Sequence, residues 1–256
     1  MQFLAVIPAR YASSRFPGKP LAVLGGKPVI ARVVENVRKA LPDAGQVVVA
    51  TDTRAIADAA HAAGAEAVLT DPQLPSGTDR IRQGVDRLAS APDVVINIQG
   101  DEPFVVPEQV RALMDCFIDE TVQIATLVRR FDPDARPDEL FNPNTPKVVL
   151  AENGDALWFS RSVIPYVRGY EPNEWLKHAD FYAHVGMYAY RLDVLHHITE
   201  LPQSSAEKAE SLEQLRWLQN GYRIRTAVTT HRTIGIDTPE DLAAAERFLS
   251  ASECKK

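Results

Sequence analysis

A chain of 256 residues with 45% hydrophobic and 24% charged residues is long enough for an α/β domain with a full core, and its composition is ordinary for a globular protein. The net charge of −6 argues against nucleic acid or an anionic membrane as the main partner, and the lack of any run of about 18 apolar residues argues against a membrane span. Cys116 and Cys254 lie far apart in no metal-ligand spacing, which argues against a disulfide framework or a zinc site and fits a reducing cytoplasm.

The first half of the chain alternates apolar runs with segments of helical periodicity. Strands are predicted over residues 2–7, 46–51, 65–69 and 93–98. Helices are predicted over residues 28–41, 53–63, 79–90 and 107–119. This rhythm predicts a parallel sheet with helices on both faces, whose ligands bind beyond the carboxyl ends of the strands.

The second half predicts a mixed sheet. Strands are expected over residues 123–130, 147–151, 156–160, 182–190 and 223–228. A hairpin turn is predicted at 153–155, a loop or insertion over 160–181, and helices from Ser204 to about 220 and over 239–250. We expect a single domain over 1–256, in which an insertion over about 131–200 separates residues 1–130 from a return to the main sheet over 201–250.

The loop over residues 8–20, which follows the first predicted strand, places Arg10, Arg15 and Lys19 among small residues, glycine and proline. Small residues let backbone N–H groups approach phosphate oxygens while arginine and lysine supply charge, so this pattern favours phosphate binding. A basic surface turn stiffened by proline is the alternative. Neither a Walker A loop nor a G-x-G-x-x-G motif occurs, which argues against P-loop ATPases and nicotinamide dehydrogenases.

Two carboxylates follow predicted strands. Asp101 comes after the fourth strand and Asp237 precedes the last helix, so both could bind Mg²⁺ together with substrate phosphates. The alternatives are a turn before Pro103 for Asp101 and a helix N-cap for Asp237. The segment 76–80 has two equally supported interpretations. Thr78 and Arg80 could donate to a ligand, or the segment could serve only to cap a helix.

The second half carries a further set of polar residues, which could serve a sugar site or a solvated helix face. Glu210, Glu213 and Gln214 fall at i, i+3 and i+4 and are expected on one helix face. The other members are Arg161, His184 and Tyr188.

Together these motifs resemble those of the 3-deoxy-manno-octulosonate (Kdo) cytidylyltransferases, or CMP-Kdo synthetases, from residue 3 to about 248. The matching segments are 8–20, 76–80, 97–103, 142–144, 147–150, 159–161, 164–165, 212–216 and 235–241. The chain departs from the family at Ser205-Ala206-Glu207, where the family often has Pro-Leu-Glu.

The resemblance implies the reaction CTP + Kdo → CMP-Kdo + pyrophosphate with Mg²⁺ as cofactor. It implies a nucleotidyltransferase-type, Rossmann-like α/β fold in which residues 1–130 bind the nucleotide and the insertion over 131–200 binds the sugar and forms a homodimer. It also implies a cytoplasmic role in lipopolysaccharide assembly in a Gram-negative bacterium, with CTP and an acidic 2-keto sugar as partners.

Residue roles carried over from the family are expectations of the same kind. The implied nucleotide-binding residues are Ala9, Arg10, Ser13, Arg15, Lys19, Thr78, Arg80 and Gln99. The implied catalytic residues are Arg10, Lys19 and Asp101, and the implied Mg²⁺ ligands are Asp101 and Asp237. The implied sugar-binding residues are Gln99, Arg161, His184, Tyr188, Glu213 and Gln214.

Two other functions compete with this one. The first is the same chemistry on a related acidic sugar, such as an amino-modified Kdo or a sialic acid. The second is a catalytically silent nucleotide-binding or regulatory protein on the same fold. Asp101 and Asp237 argue against a silent binder, because mere binding of a triphosphate has less need of two carboxylates beside Lys19.

Overall fold

The computed structural model describes residues 1–13, 15–41 and 46–253, with side chains described as far as residue 251. Ser14 of the 8–20 loop and Cys254 lie outside the described residues. The chain divides into two compact units, one formed by residues 1–111 and the residues from 233 onward, the other by residues 112–232. Each unit is described by itself below.

The sheet of the first unit consists of parallel strands buried by their apolar sequences. Its strands are β1 (Phe3–Ala9), β4 (Gln46–Thr51), β5 (Glu66–Leu69) and β6 (Val94–Asn97), after two short strands, β2 (Val23–Leu24) and β3 (Lys27–Pro28), that pair with each other. Parallel pairs join β1 to β4, β1 to β6 and β4 to β5. Residues 4–7 of β1 are at most 3% exposed, which explains why this strand reads as an unbroken apolar run.

The helices of the first unit follow the predicted alternation with shifted ends. They are α1 (Val29–Ala40), α2 (Arg54–Ala62) and α3 (Gly77–Val85). A fourth helix, α4 (Pro107–Asp115), begins in this unit, passes its boundary at residue 111 and continues as a 3₁₀ turn over Cys116–Ile118. The prediction of a helix over 79–90 was wrong at both ends. Ser76 Oγ accepts a hydrogen bond from the Asp79 backbone N–H at 3.1 Å, so the capped helix begins two residues earlier.

The second unit has mixed strand directions. Its strands are β7 (Ile124–Arg130), β8 (Lys147–Leu150), β9 (Ala156–Ser160), β10 (Tyr182–Arg191) and β11 (Ile224–Val228). β7 pairs in parallel with β11, whereas the pairs β7–β10, β10–β8 and β8–β9 are antiparallel. The unit boundaries therefore differ from the predicted insertion at 131–200, because β7 and β11 pair within this unit. The single-domain organisation itself stays a prediction.

The helices of the second unit were the weakest part of the prediction. They are α5 (Pro137–Phe141), α6 (Trp175–His178), α7 (Leu192–Glu200), α8 (Ser205–Glu210) and α9 (Gln214–Gln219). The single helix expected from Ser204 to about 220 is two helices, because Ser211 adopts a left-handed backbone conformation with φ of 51°. Glu210 and Gln214 consequently lie on different helices, and the prediction that they share one helix face was wrong.

The last helix, α10 (Pro239–Glu253), returns to the first unit. The prediction of an α/β fold with a mostly parallel sheet is confirmed by the strand pairings. Among the described residues, no helix combines the length and apolarity needed to cross a membrane.

The close approach of β1 to the segment after β6 depends on Gly100. A Cβ at this position would lie 2.8 Å from the backbone oxygen of Pro8. We expect Gly100→Ala to lower the free energy of unfolding by about 1–3 kcal/mol, because the backbone must shift to relieve this overlap. Gly235→Ala is the matched control in chemical denaturation, since a Cβ there meets no atom within 4 Å. Equal stability of the two variants would contradict the prediction.

Candidate functional site

The 8–20 loop follows β1 and is held in place by hydrogen bonds at Tyr11 and Gly18. The Tyr11 backbone N–H donates to Asp52 Oδ1 at 2.9 Å, and the Gly18 N–H donates to the Tyr11 carbonyl at 2.9 Å. Gly18 has φ of 70°, a conformation that glycine adopts without strain. A 3₁₀ turn over Lys19–Leu21 follows directly, so the loop ends with the Lys19 side chain in a defined position.

Lys19 is the centre of the charge cluster in the first unit. Its ammonium donates to Asp101 Oδ2 at 2.6 Å and to Asp237 Oδ1 at 3.1 Å, and Arg15 Nη2 lies 3.1 Å from the same Asp237 oxygen. The Lys19 side chain is 13% exposed, whereas the two carboxylate side chains are 29% and 47% exposed. Two carboxylates predicted from separate parts of the sequence therefore converge on one lysine.

The position of Asp237 answers the question left open by the sequence. The cap of α10 is formed by its neighbours, because the Asp241 N–H donates to Thr238 Oγ1 at 3.2 Å and the Thr238 N–H donates to Asp241 Oδ2 at 2.9 Å. The Asp237 carboxylate is thus used by Lys19 and Arg15 instead of by the helix. The Ile236 N–H donates to the Asp101 carbonyl at 2.9 Å, which holds the two carboxylate-bearing segments together.

A cavity of about 290 Å³ adjoins this cluster, close to the lower end of the usual size of ligand pockets. The sequence-predicted residues that line it are Ala9, Arg10, Ser13, Arg15, Lys19, Arg80, Gln99, Asp101 and Asp237. Thr78 is 2% exposed and lies outside the cavity wall described for this unit. Gln99 Nε2 donates to Asn97 Oδ1 at 2.9 Å, which orients its amide. The wall therefore carries the concentrated positive charge that an otherwise acidic chain needs to bind an anion.

The segment 76–80 serves both purposes that the sequence left open. Ser76 caps α3 through Asp79, as the helix-capping alternative requires. Gly77 and Arg80 of the same turn line the cavity, and Arg80 is only 2% exposed. The first turn of α3 therefore combines a structural cap with a cavity-facing cation.

Glu102 is an unusual carboxyl group that the sequence reasoning missed. Burial, followed by the neighbouring charge of Asp101, raises the pKa of Glu102 to about 8, and its Oε2 atom has no hydrogen-bond partner among the described residues. The only available sequence signal was its place directly after Asp101. Its raised pKa favours a neutral carboxyl beside the charged cluster near neutral pH.

Asp101 and Asp237 could supply some, but not all, of the ligands of a metal ion. Asp101 and Asp237 supply hard oxygen ligands, which Mg²⁺ prefers, and they converge on one point occupied by the Lys19 ammonium. No group of three or more His, Cys, Asp or Glu residues suited to a metal occurs in the part of the chain that the structure describes. The pair therefore fits Mg²⁺ if phosphate or water oxygens complete the coordination, as is usual for this ion.

In the second unit, His184 and Tyr188 of β10 lie side by side, with ring centroids 5.3 Å apart. The Thr126 hydroxyl donates to the Met187 carbonyl at 2.8 Å, so it accepts the hydrogen bond from His184 Nε2 at 3.1 Å. Burial lowers the pKa of His184 to about 4, so near neutral pH the ring is neutral and its Nδ1 is an acceptor. Burial raises the pKa of Tyr188, and its hydroxyl is buried without a hydrogen-bond partner among the described residues.

Arg161 is held by hydrogen bonds to the turn between α8 and α9. Its guanidinium donates to the carbonyls of Glu210 at 2.6 Å, Pro143 at 3.0 Å and Ser211 at 3.3 Å, and its backbone N–H donates to Glu210 Oε2 at 2.6 Å. Glu210 also accepts from the Ser160 hydroxyl at 2.7 Å. Glu210 therefore positions Arg161 through its backbone and its side chain.

Glu213 and Gln214 flank the start of α9. Arg216 Nη2 donates to Glu213 Oε1 at 3.3 Å and to the buried Glu207 at 2.9 Å. Gln214 is 4% exposed, and its Nε2 atom is buried without a partner among the described residues. The charge of Glu213 is among the influences that raise the pKa of Tyr188, which places the two residues near each other. The second unit thus carries buried polar atoms without hydrogen-bond partners within the described chain.

Comparisons with known proteins agree along nearly the full length. A family model described as Cytidylyltransferase matches residues 4–225. The 3-deoxy-manno-octulosonate cytidylyltransferase of Parabacteroides distasonis is 54% identical over 251 residues, covering 98% of this chain and 99% of that protein. The protein of the same name from Bacteroides thetaiotaomicron is 55% identical over 249 residues, covering 97% and 98%.

The solved structure of CMP:2-keto-3-deoxy-manno-octonic acid synthetase complexed with CTP is similar to this chain. The two share 39% of their residues with a TM-score of 0.89, over 98% of this chain and 100% of that one. The predicted nucleotidyltransferase-type fold is thereby confirmed.

The buried ring of His184 makes a testable contribution to stability. Burial lowers the pKa of His184 from 6.5 to about 4, so the unfolded chain binds a proton on this ring at pH values where the folded chain does not. The folded state should therefore lose stability as the pH falls from about 6.5 to about 4, and this loss should be absent above that window.

We expect His184→Asn to flatten the pH dependence of the free energy of unfolding in this window by at most about 1.4 kcal/mol per pH unit. Chemical denaturation at several pH values measures the slope. His61→Asn, a change at an exposed residue of α2, is the control and should leave the slope unchanged. Parallel curves for wild type and His184→Asn would refute the assignment.

Proposed function

The chain belongs to the 3-deoxy-manno-octulosonate cytidylyltransferases, a branch of the cytidylyltransferase family, and we propose that it joins CTP to Kdo to give CMP-Kdo and pyrophosphate. The observation that carries this proposal is the convergence of Asp101 and Asp237 on Lys19, at a cavity that Arg10 and Arg15 also line. The identity of the sugar is supported by the names of relatives that match nearly the whole chain.

Nucleotide binding is assigned to the cavity of the first unit. Arg10, Arg15 and Lys19 would contact the triphosphate, because all three cationic side chains line the cavity. Arg80 and Gln99 line the same cavity and would contact other polar atoms of the nucleotide. The proposed contact through the Thr78 side chain has less support, because this residue is 2% exposed and lies outside the described cavity wall.

We propose that Asp101 and Asp237 hold Mg²⁺ when the nucleotide is bound. Mg²⁺ would neutralise negative charge on the phosphate oxygens. Lys19 and Arg15 now compensate these carboxylates, so a metal must compete with the two cationic side chains. The same side chains are near enough to pair with an incoming triphosphate, whose negative charge offers them a new partner.

The proposed mechanism follows from the negative charges of the two substrates, which must be brought together. The anomeric hydroxyl of the sugar attacks the α-phosphorus in line, a new P–O bond forms, the hydroxyl proton passes to water, and the bond to pyrophosphate breaks. Lys19, Arg10 and Arg15 offset the repulsion between two anionic substrates and stabilise the charge that builds up on the leaving pyrophosphate. No covalent intermediate on a side chain is part of this proposal, and a trapped CMP-enzyme adduct would overturn that part.

Sugar binding is assigned to the second unit. Arg161 would contact the sugar carboxylate, and other polar residues of the second unit would contact hydroxyl groups. Those residues are His184, Tyr188, Glu213 and Gln214, and a sugar contact through Gln99 of the first unit stays a prediction. The buried Tyr188 hydroxyl and Gln214 amide support this role, because an unpaired buried polar group costs about 1–3 kcal/mol unless a ligand satisfies it.

The remaining expectations concern assembly and location. We propose a homodimer formed through residues 131–200, a region that exposes large hydrophobic side chains. These are Phe141, Leu157, Trp158, Tyr166 and Tyr170. We also propose a cytoplasmic role in lipopolysaccharide assembly, which the names of the relatives support only through the sugar they act on.

The direct test is pyrophosphate release measured with each of CTP, UTP and ATP against a panel of acidic sugars. We expect turnover only with CTP, and fastest turnover with Kdo. Faster turnover with a sialic acid or an amino-modified Kdo would show that this sugar, and not Kdo, is the substrate. Tight CTP binding without release on any sugar would favour the silent nucleotide-binding protein.

The two carboxylates should matter more for turnover than for nucleotide binding. We expect Asp101→Asn and Asp237→Asn each to lower kcat at least about 100-fold at saturating Mg²⁺, with a smaller change in CTP affinity. Steady-state kinetics and isothermal titration calorimetry measure the two effects. Asp58→Asn, on the exposed side of α2, is the control. Intact turnover in either site variant would remove that residue from the metal site.

Competition between Lys19 and a metal has a readout that needs no turnover. Removing the ammonium frees Asp101 and leaves Asp237 paired only with the exposed Arg15, so Lys19→Met should bind Mn²⁺ without nucleotide about threefold to tenfold more tightly than wild type. Electron paramagnetic resonance of free Mn²⁺ measures this affinity. Lys27→Met removes a lysine paired with Glu35 at 2.6 Å and is the control. Equal or weaker Mn²⁺ binding by Lys19→Met would argue against a shared site.

A further inference from the structure

Arg80 is a buried cation whose orientation needs an explanation. It lies on α3, is 2% exposed and lines the cavity. Burial lowers the pKa of Arg80, the charges of Asp52 and Asp71 oppose this effect, and the charge of Arg10 adds to it. Two guanidinium groups near each other at one cavity favour an anion or an acceptor oxygen between them.

Thr70, the residue after β5, holds this guanidinium. Arg80 Nη1 donates to Thr70 Oγ1 at 2.5 Å, and Thr70 is 6% exposed. The Thr70 hydroxyl donates its single proton to the Thr51 carbonyl at 3.0 Å, and the Thr70 backbone N–H donates to the same carbonyl at 2.7 Å. With its proton committed to Thr51, the hydroxyl can face Arg80 only as an acceptor.

This chain of hydrogen bonds has one direction, from Arg80 through Thr70 to the end of β4. It joins the guanidinium to the backbone at the end of a strand that is paired on both sides, because β4 pairs with both β1 and β5. The bond uses one of the five N–H donors of the guanidinium and restricts the plane of the group. A hydrocarbon side chain at position 70 would leave Arg80 Nη1 without this acceptor.

We infer that Thr70 is a positioning residue, which aims Arg80 at an acceptor or anionic oxygen of the nucleotide. This inference rests on the proposed role of Arg80 in CTP binding. Thr70 itself would touch no substrate, and it would act by preorganising a cation before the nucleotide binds. Its loss should therefore weaken nucleotide binding and leave the chemical step nearly unchanged.

The test compares Thr70→Val, which keeps the shape and removes the hydroxyl, with Thr70→Ser, which keeps the hydroxyl. We expect Thr70→Val to raise both Kd and KM for CTP about tenfold, while kcat changes less than about twofold. Thr70→Ser should stay close to wild type in all three. Thr70→Ala provides the same comparison if the valine variant does not fold.

Thr53→Val is the matched control. Thr53 lies between β4 and α2, and its hydroxyl is buried without a hydrogen-bond partner among the described residues. Its CTP affinity should equal that of wild type. If Thr53→Val weakened CTP as much as Thr70→Val, loss of any hydroxyl near this strand end would explain the result, and the inference would be overturned.

A double-mutant cycle separates the inference from its premise. We expect Arg80→Lys to weaken CTP binding, and Thr70→Val to add little in that background because the group it positions is gone. Unchanged CTP affinity in Arg80→Lys would overturn the role of Arg80, and with it the inference. Weaker binding in Arg80→Lys but not in Thr70→Val, or a full Thr70→Val effect in both backgrounds, would overturn the inference alone. Absence of CTP binding by the wild-type chain would instead overturn the proposed function.

Discussion

The ion pairs between Lys19 and the carboxylates of Asp101 and Asp237 are the interaction on which the site in the first unit depends. Asp101 and Asp237 would repel each other at this separation, and the Lys19 ammonium between them offsets that repulsion. Each of the three residues comes from a different segment, which explains why the 8–20 loop, the end of β6 and the start of α10 meet. The partial burial of Lys19 reduces the screening of these ion pairs by solvent.

This arrangement suits a reaction in which two anions must meet. The chain as a whole is acidic, yet the cavity beside Lys19 is lined by Arg10, Arg15 and Arg80. Cations that neutralise carboxylates before the substrate binds are available to neutralise phosphates afterwards, provided that another cation then occupies the carboxylates. Binding of nucleotide and metal should therefore favour each other in the proposed enzyme.

Sequence reasoning succeeded where structure depends on local pattern. Unbroken apolar runs predicted the buried strands β1, β4 and β6, and strand ends predicted the positions of Asp101 and the 8–20 loop. It failed at Ser211, because a left-handed residue other than glycine leaves no compositional signal. It expected Asp101 and Asp237 beside Lys19, but it could not predict the direct hydrogen bonds from Lys19 to both carboxylates, which lie 82 and 218 residues away along the chain.

In the proposed enzyme, Lys19 exchanges the two carboxylates for the triphosphate when CTP and Mg²⁺ bind. A crystal structure of the chain with CTP, Mg²⁺ and a non-reacting sugar analogue tests this most directly. We predict a metal ion bound by Asp101 and Asp237, with the Lys19 ammonium on phosphate oxygens. A Lys19 ammonium still bound to both carboxylates, with the triphosphate held by other residues, would contradict it.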